Sequence, residues 1–398
     1  MSDRDFRQNV RMWLEENAPP SLRQLRLGFG EGSWGGRRAS FASSDAKQWM
    51  EVMAAKGWTA PTWPRAYGGG GLSKDEARIL QEELRTLRMP PPLVGMGLTM
   101  IGPVILEYGT EMQKRVHLPN IIRGAIRWCQ GYSEPGAGSD LASLQTRAKR
   151  QGSDFIVSGQ KIWTSYADTS DWIFALVRTD PEAPKQAGIS FMLIDLTSPG
   201  ITVRPIELIS GASAFCEIFF DDVRVPATAI LGEINRGWDI AKALLVYERE
   251  LWGGAGGGGR RSAGSALGDF ARSHRGETVD GAVVDPVVRD RIAQFEIDSL
   301  ALSLTVHRGR DAAKVGLRPG AEMSVLKYSG AELSKRRHEL MMDIAGPEAL
   351  RWEDETGSEL AALAPAWLRS RANSIEGGTS ETQLNIIAKR VLNLPIVK

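Results

Sequence analysis

Trp128-Cys129-Gln130-Gly131-Tyr132-Ser133-Glu134-Pro135-Gly136-Ala137-Gly138-Ser139-Asp140, followed by Gly159-Gln160-Lys161-Ile162-Trp163-Thr164-Ser165, is the stretch on which the reading of this chain turns. A short β-favouring run ends in glycines and hydroxyl residues, which let backbone N–H groups come close to a polar, planar or phosphorylated ligand. Taken alone, the run from Ser133 to Asp140 suits a surface turn equally well, and Trp163 on a strand suits a core. At this level both readings stay open.

The flanks set the architecture. Around the stretch lie short β-favouring runs, Phe155-Ile156-Val157, Trp172 to Val177 and Ile189 to Ile194, punctuated by Gly, Pro, Asp and Ser. Before it, Phe6 to Glu16, Ser43 to Lys56 and Lys74 to Leu87 carry apolar residues every three or four positions, the helical period. After Gly237 helical patterns return at Trp238 to Trp252, Asp285 to Val315, Ala321 to Met342 and Ser380 to Val391, interrupted by Gly253 to Gly259 and by a loop between Ala345 and Arg369. The order predicts an α+β multidomain protein. Its parts are an N-terminal α-helical domain at 1–125, a middle antiparallel β-sheet domain at 126–232 and a C-terminal α-helical domain at 233–398.

Composition excludes several classes. The 398 residues carry 49 Lys+Arg against 48 Asp+Glu, a net charge of +1 that offers no field to steer nucleic acid or an anionic membrane. Hydrophobic residues at 42%, with 12 Trp, 11 Phe and 6 Tyr, describe a globular chain of two or three packed units. The two cysteines, Cys129 and Cys216, make neither a disulfide scaffold nor a zinc site. Together with a charged start at Met1 to Arg7 that has no signal-peptide core, they predict a cytoplasmic location. The uncharged run Met89 to Leu106 approaches membrane-spanning length. Pro90, Pro91, Pro92 and Pro103, with Gly95, Gly97 and Gly102, make it a loop leading into a buried helix instead.

Common catalytic motifs are missing. Gly254-Ala255-Gly256-Gly257-Gly258-Gly259 satisfies the dinucleotide fingerprint formally but follows a helical pattern where a strand is required. His117, His274, His307 and His338 are scattered, which gives a metal cluster or a His-based triad no support.

The two opening runs together resemble the acyl-CoA dehydrogenase family. Phe219-Phe220-Asp221-Asp222-Val223-Arg224-Val225-Pro226, Tyr247-Glu248-Arg249 and Ile375-Glu376-Gly377-Gly378-Thr379-Ser380-Glu381 extend the likeness in the family's order. The resemblance implies that family's fold, a helical domain, a β domain and a C-terminal four-helix bundle, with FAD as cofactor. It implies that Gln130, Tyr132, Ser133, Gly138, Ser139, Trp163, Thr164 and Ser165 line FAD, with Trp163 packed on the ring, and that Ser139, Arg249 and Gly378 meet the acyl-CoA. It further implies that Thr379 and Glu381 reach the FAD of a neighbouring subunit in a dimer or tetramer, and that electron-transferring flavoprotein is the acceptor.

Family chemistry is α,β-desaturation of the acyl thioester, with a glutamate as base. Desolvation of such a carboxylate by bound thioester raises its pKa toward that of the α-carbon. In many members the base immediately precedes the Gly-Thr of the C-terminal motif, and here that position is Gly377, with Glu376 one place early. In members similar to isovaleryl- and long-chain acyl-CoA dehydrogenases it lies in a Glu-Arg pair on the helix after the β domain, which Glu248-Arg249 matches. Ile240, Leu244, Tyr247, Glu248 and Leu251 form an otherwise apolar stripe at helical spacing. The bland alternative is a solvated Glu248-Arg249-Glu250 patch. With Glu248 as base, the Gly377 N–H would still polarise the thioester carbonyl.

Two family elements are blurred. Arg272 stands in for the arginine that holds the FAD pyrophosphate, and Asp343-Ile344-Ala345-Gly346-Pro347 stands where Gln-x-x-Gly-Gly is expected. These losses fit a heteromer in which a homologue supplies what one chain lacks, as in the bacterial steroid side-chain branch that the sequence resembles. Three functions follow as expectations: an FAD-dependent dehydrogenase of a bulky or branched acyl-CoA, an oxygen-using monooxygenase or oxidase on the same fold, and a non-catalytic partner subunit.

Overall fold

The computed structural model describes residues 2–23, 32–244, 263–314, 320–321, 323–352 and 360–395. They form two compact units, Met1–Ile206 with Ala214–Glu248, and Glu207–Ser213 with Arg249–Lys398. Glu248, Arg249 and the glycine run 253–259 lie outside the described residues.

In the first unit, helices α1 (Asp3–Asn17), α2 (Ser44–Ala55), α3 (Lys74–Thr86), α4 (Gly102–Tyr108) and α5 (Glu111–Ile122) precede the sheet. Their starts are written locally. Ser2, Ser43, Ser73 and Thr110 each accept a backbone N–H at a helix N-terminus. A π-helical turn, Gly97–Ile101, leads into α4, and Met100, Ile101, Val104 and Ile105 are buried. The uncharged proline-rich run therefore ends as core packing, and no described helix is long and apolar enough to cross a membrane.

Gly102 is required by that packing. A Cβ there would lie 2.0 Å from a ring carbon of Trp63 and 2.6 Å from the Gly97 carbonyl oxygen. Gly102→Ala is expected to lower unfolding free energy by about 1–3 kcal/mol, the usual range for overpacking. Urea denaturation of the variant would measure it.

The sheet contains β1 (Trp128–Gly131), β2 (Arg147–Gln151), β3 (Asp154–Ser165), β4 (Trp172–Arg178), β5 (Ile189–Asp195), β6 (Ile201–Ile206), β7 (Phe215–Pro226) and β8 (Ile230–Leu231). Strand order is β6-β7-β3-β2-β4-β5-β8, with β1 on β4. Most neighbours pair antiparallel; β1 and β2 meet β4 in parallel because neither reaches it through a hairpin. β4 is covered on both faces, which explains its unbroken apolar sequence. Phe174 and Leu176 join the core shared with Ile101, Val104, Leu118 and Ile121 of the helices, whereas Ile173, Ala175 and Val177 join Phe155, Val157 and Ile218 on the other face. The helices and the sheet are thus held by one common core. Ile240, Ala241 and Leu244 of helical segment 237–244 are buried in the same cluster.

His117 on α5 packs edge-on against Trp128 and Trp172, with ring centroids 5.2 and 4.8 Å away. Desolvation pushes its pKa down from 6.5 to about 4. The unfolded chain therefore takes up a proton below pH 6.5 that the folded chain refuses until about pH 4, so stability falls as pH drops through that window. His117→Leu is expected to lose about 2 kcal/mol less than the native chain between about pH 7 and about pH 5. Paired urea titrations would read the difference.

The second unit is built on α6 (Ala263–Arg275), α7 (Pro286–Lys314), α8 (Met323–Ala345), α9 (Leu363–Ser370) and α10 (Ser380–Ile386). Leu267 and Phe270 of α6, Ile292 and Phe295 of α7, and Leu340 and Ile344 of α8 share its core. Helix α9 falls largely in the stretch read from sequence as a loop and ends just beyond it, at Ser370. Its run is too short for a clear apolar period, yet Leu363 and Ala364 are buried.

Candidate active site

The Ser133 loop rests on a buried ion pair. Lys161, fully buried on β3, donates from Nζ to Glu134 Oε1 at 2.7 Å and to the Tyr132 carbonyl at 3.1 Å. Glu134 also accepts the backbone N–H of Gln145 at 2.5 Å and of Thr146 at 2.9 Å. Burial pushes the Glu134 carboxyl up, but Lys161 and these donors outweigh it and hold it below the usual range. Burial brings the Lys161 ammonium down to about 8, with Glu134 pulling the other way. The pair fastens the turn Glu134–Ala137, closed by two backbone bonds of 3.0 Å, to the loop before β2.

A bulge presents Trp163. Lys161 pairs with Ile218 and Thr164 with Cys216, so β3 carries one residue more than β7 between them. Trp163 takes up the slack at φ +60°, a costly conformation for a bulky residue, and is 54% exposed. Its ring meets Phe215 edge-on at 6.2 Å. The Ser133 carbonyl accepts the Ile162 N–H at 2.9 Å, which sets Ser133 beside this bulge. Among the described residues nothing accepts the Ser133 N–H or engages its hydroxyl. A Cβ added at Gly136 or Gly138 would meet no atom within 4 Å.

The expected ring-side residues divide on inspection. Ser133 and Ser165 are half-buried, Gly138 and Ser139 are exposed, and Gln130 is half-buried on β1. Tyr132 is different: its side chain is core, edge-on to Phe174 and Phe191, so only its backbone is placed to serve a ligand. Thr164 is 1% exposed, with a hydroxyl that has no partner among the described residues. The open loop donors, the vacant side of the glycines and the outward Trp163 fit a planar ring rich in acceptors, as FAD is. A cleft of about 410 Å³ beside the loop is lined by Glu134, Pro135, Gly136, Thr146, Gly159 and Gln160 among others.

In the second unit, Gly377 and Gly378 adopt φ +61° and +90°, and Thr379 caps α10 by accepting the Thr382 N–H at 3.1 Å. Lys327 donates to the Asn373 carbonyl at 2.8 Å and Lys335 to the Ser374 hydroxyl at 3.2 Å, so α8 grips the loop leading to the glycines. Glu376 is taken up by Arg369 at 2.7 Å. Exposed Glu381 is held below the usual carboxylate range, first by its own N–H and then by the Thr379 hydroxyl. Arg272 does not stand open as a phosphate ligand: its guanidinium pairs with Asp269 on α6 and lies 3.9 Å from Glu277. Asp343 is bound to Arg291 at 2.7 Å. No three of the described His, Cys, Asp or Glu residues cluster to hold a metal.

Sequence reasoning missed the Glu134–Lys161 pair. The available signal was Lys161 in phase with Phe155 and Val157, on the inward side of β3.

The chain matches three family descriptions, "Acyl-CoA dehydrogenase, N-terminal domain" over residues 2–125, the middle domain over 129–223 and the C-terminal domain over 235–392. It is similar to acyl-CoA dehydrogenase IpdE1 of Mycobacterium tuberculosis, 35% identical over 398 residues covering 98% of this chain and 97% of that one. Among solved structures it resembles the Tcur3481-Tcur3483 steroid ACAD, with TM-score 0.76 and 29% identity over 99% and 98% of the two chains. The ChsE4-ChsE5 complex of Mycobacterium tuberculosis gives TM-score 0.71 and 27% identity over 99% and 98%. With matches along its whole length in one order, the chain belongs to the acyl-CoA dehydrogenase family of FAD-dependent oxidoreductases.

Proposed function

We propose that this enzyme desaturates the α,β bond of a bulky, steroid-like acyl-CoA thioester, with Glu248 removing the α-proton. The observation that carries the choice of base is the state of its rival. Gly377 occupies the place before Gly378-Thr379, and Glu376, the nearest carboxylate, is engaged by Arg369. To meet a substrate carbon, Glu376 would first have to leave that ion pair. Glu248 follows the buried Ile240 and Leu244 at i+8 and i+4 in sequence. That row is where a desolvated base is expected.

Bound FAD supplies the hydride acceptor for the β-carbon. The remaining work falls to the chain: Glu248 takes the α-proton, and the Gly377 N–H steadies the charge that develops on the thioester oxygen. Ser133, Trp163 and Ser165 orient the ring, with Gln130, Gly138, Ser139 and the backbone of Tyr132 alongside, and Thr379 and Glu381 serve the FAD of a partner subunit. Arg249, Gly378 and Ser139 meet the substrate. Electron-transferring flavoprotein is the proposed acceptor.

The steroid-like substrate rests on the names of relatives, steroid ACAD among them. Partnership with a homologous chain rests on the ChsE4-ChsE5 and Tcur3481-Tcur3483 complexes and on the engaged Arg272. Mass spectrometry of the product from a thioester deuterated at both carbons tests the reaction. Loss of one label from each carbon is expected; loss from the α-carbon alone, or oxygen incorporation, would contradict desaturation.

A further inference from the structure

Lys161 makes two contacts that belong to different parts of the loop. One fastens Glu134. The other ends on the carbonyl of Tyr132, whose peptide also carries the Ser133 N–H. All described peptides are trans, so this N–H points away from the carbonyl and therefore away from the ammonium. A cation on the carbonyl oxygen draws electron density through the peptide and strengthens the N–H at its other end, an effect that grows where water is excluded. Lys161 is fully buried and the Ser133 N–H is without a partner among the described residues.

We propose that Lys161 is a positioning and polarising residue for FAD, acting through the Tyr132–Ser133 peptide so that the Ser133 N–H meets the flavin as a charge-assisted donor. This rests on the reading that Ser133 lines FAD. The groups facing the ammonium are Glu134, which favours its charge, and Arg178 of β4, which opposes it. Because burial brings the Lys161 ammonium down to about 8, its effect on the ligand is within reach of an ordinary pH titration.

The test is FAD binding by the whole chain, with its partner chain where one is needed for loading, followed by flavin fluorescence from about pH 6 to about pH 10. In the native protein the dissociation constant is expected to stay flat at low pH and to rise up to about tenfold per unit above about pH 8. Lys161→Met strands Glu134, so Lys161→Met/Glu134→Gln is the companion variant: it removes both charges and keeps one acceptor, the amide oxygen, for the Gln145 or the Thr146 N–H. The double variant is expected to bind FAD about tenfold or more weakly at neutral pH, without the step. Three outcomes overturn the proposal: native-like affinity in the double variant, a step that survives in it, or no step in the native protein. The last decides the matter even if neither variant folds. A native protein that folds and takes up no FAD would overturn the Ser133 reading itself, whereas the other results leave that reading intact.

Discussion

Glu248→Gln is expected to cut reduction of bound FAD by acyl-CoA by about three to four orders of magnitude, the upper range for removal of a general base, while FAD content stays unchanged. The substitution keeps the size of the side chain and removes its negative charge and its capacity to accept a proton. Glu376→Gln is the matched control. It breaks the ion pair with Arg369, which is only partly shielded from water at 35% and 36% exposure, so a loss of at most about 1 kcal/mol in stability is expected. Activity should remain within about tenfold of native, less than 1.4 kcal/mol of barrier. Rapid-mixing absorbance under anaerobic conditions separates the two glutamates. A Glu376→Gln enzyme that binds FAD but no longer bleaches would move the base back to the C-terminal motif.

Glu134→Ala is expected to be among the most destabilising single changes in the first unit, at about 3–5 kcal/mol. It leaves the Lys161 ammonium buried with one carbonyl in place of a carboxylate, and it unpairs the Gln145 and Thr146 N–H groups. Glu134→Gln should cost less, since its amide oxygen still accepts a backbone donor. The acid dependence has a fixed sign. A carboxyl held below its ordinary range contributes stability that is present above the unfolded value and lost as pH falls through the folded one. Urea midpoints of the native chain and the two variants, taken at neutral pH and below pH 4.5, read both effects.

Much of the architecture was legible because it rests on period. The double apolar register of β4 and the stripes of α1 and α3 follow from burial on two faces or one, and the prolines before Gly97 marked where a membrane span could not form. Helix α9 escaped because eight residues give too little pattern. The site was harder. A bulge such as that at Trp163 comes from the pairing of β3 with β7, which no local sequence records. Lys161 was in phase with Phe155 and Val157, but its partner Glu134 comes from a loop 27 residues earlier, which strand period does not record. Arg272 shows the reverse: its type suited a phosphate, but Asp269 one turn earlier takes the guanidinium. Glu248 was reached by resemblance and by the phase of Ile240 and Leu244.

The central claim, an FAD-dependent dehydrogenase of a bulky acyl thioester, is tested most directly by the visible spectrum of the flavin-loaded protein during anaerobic addition of acyl-CoA thioesters. The series would run from straight chains to steroid side-chain analogues. Bleaching of the flavin band by a bulky thioester, with little response to short straight chains, is the expected result. A fully loaded protein whose band no thioester bleaches, and which consumes oxygen with a substrate present, would contradict it.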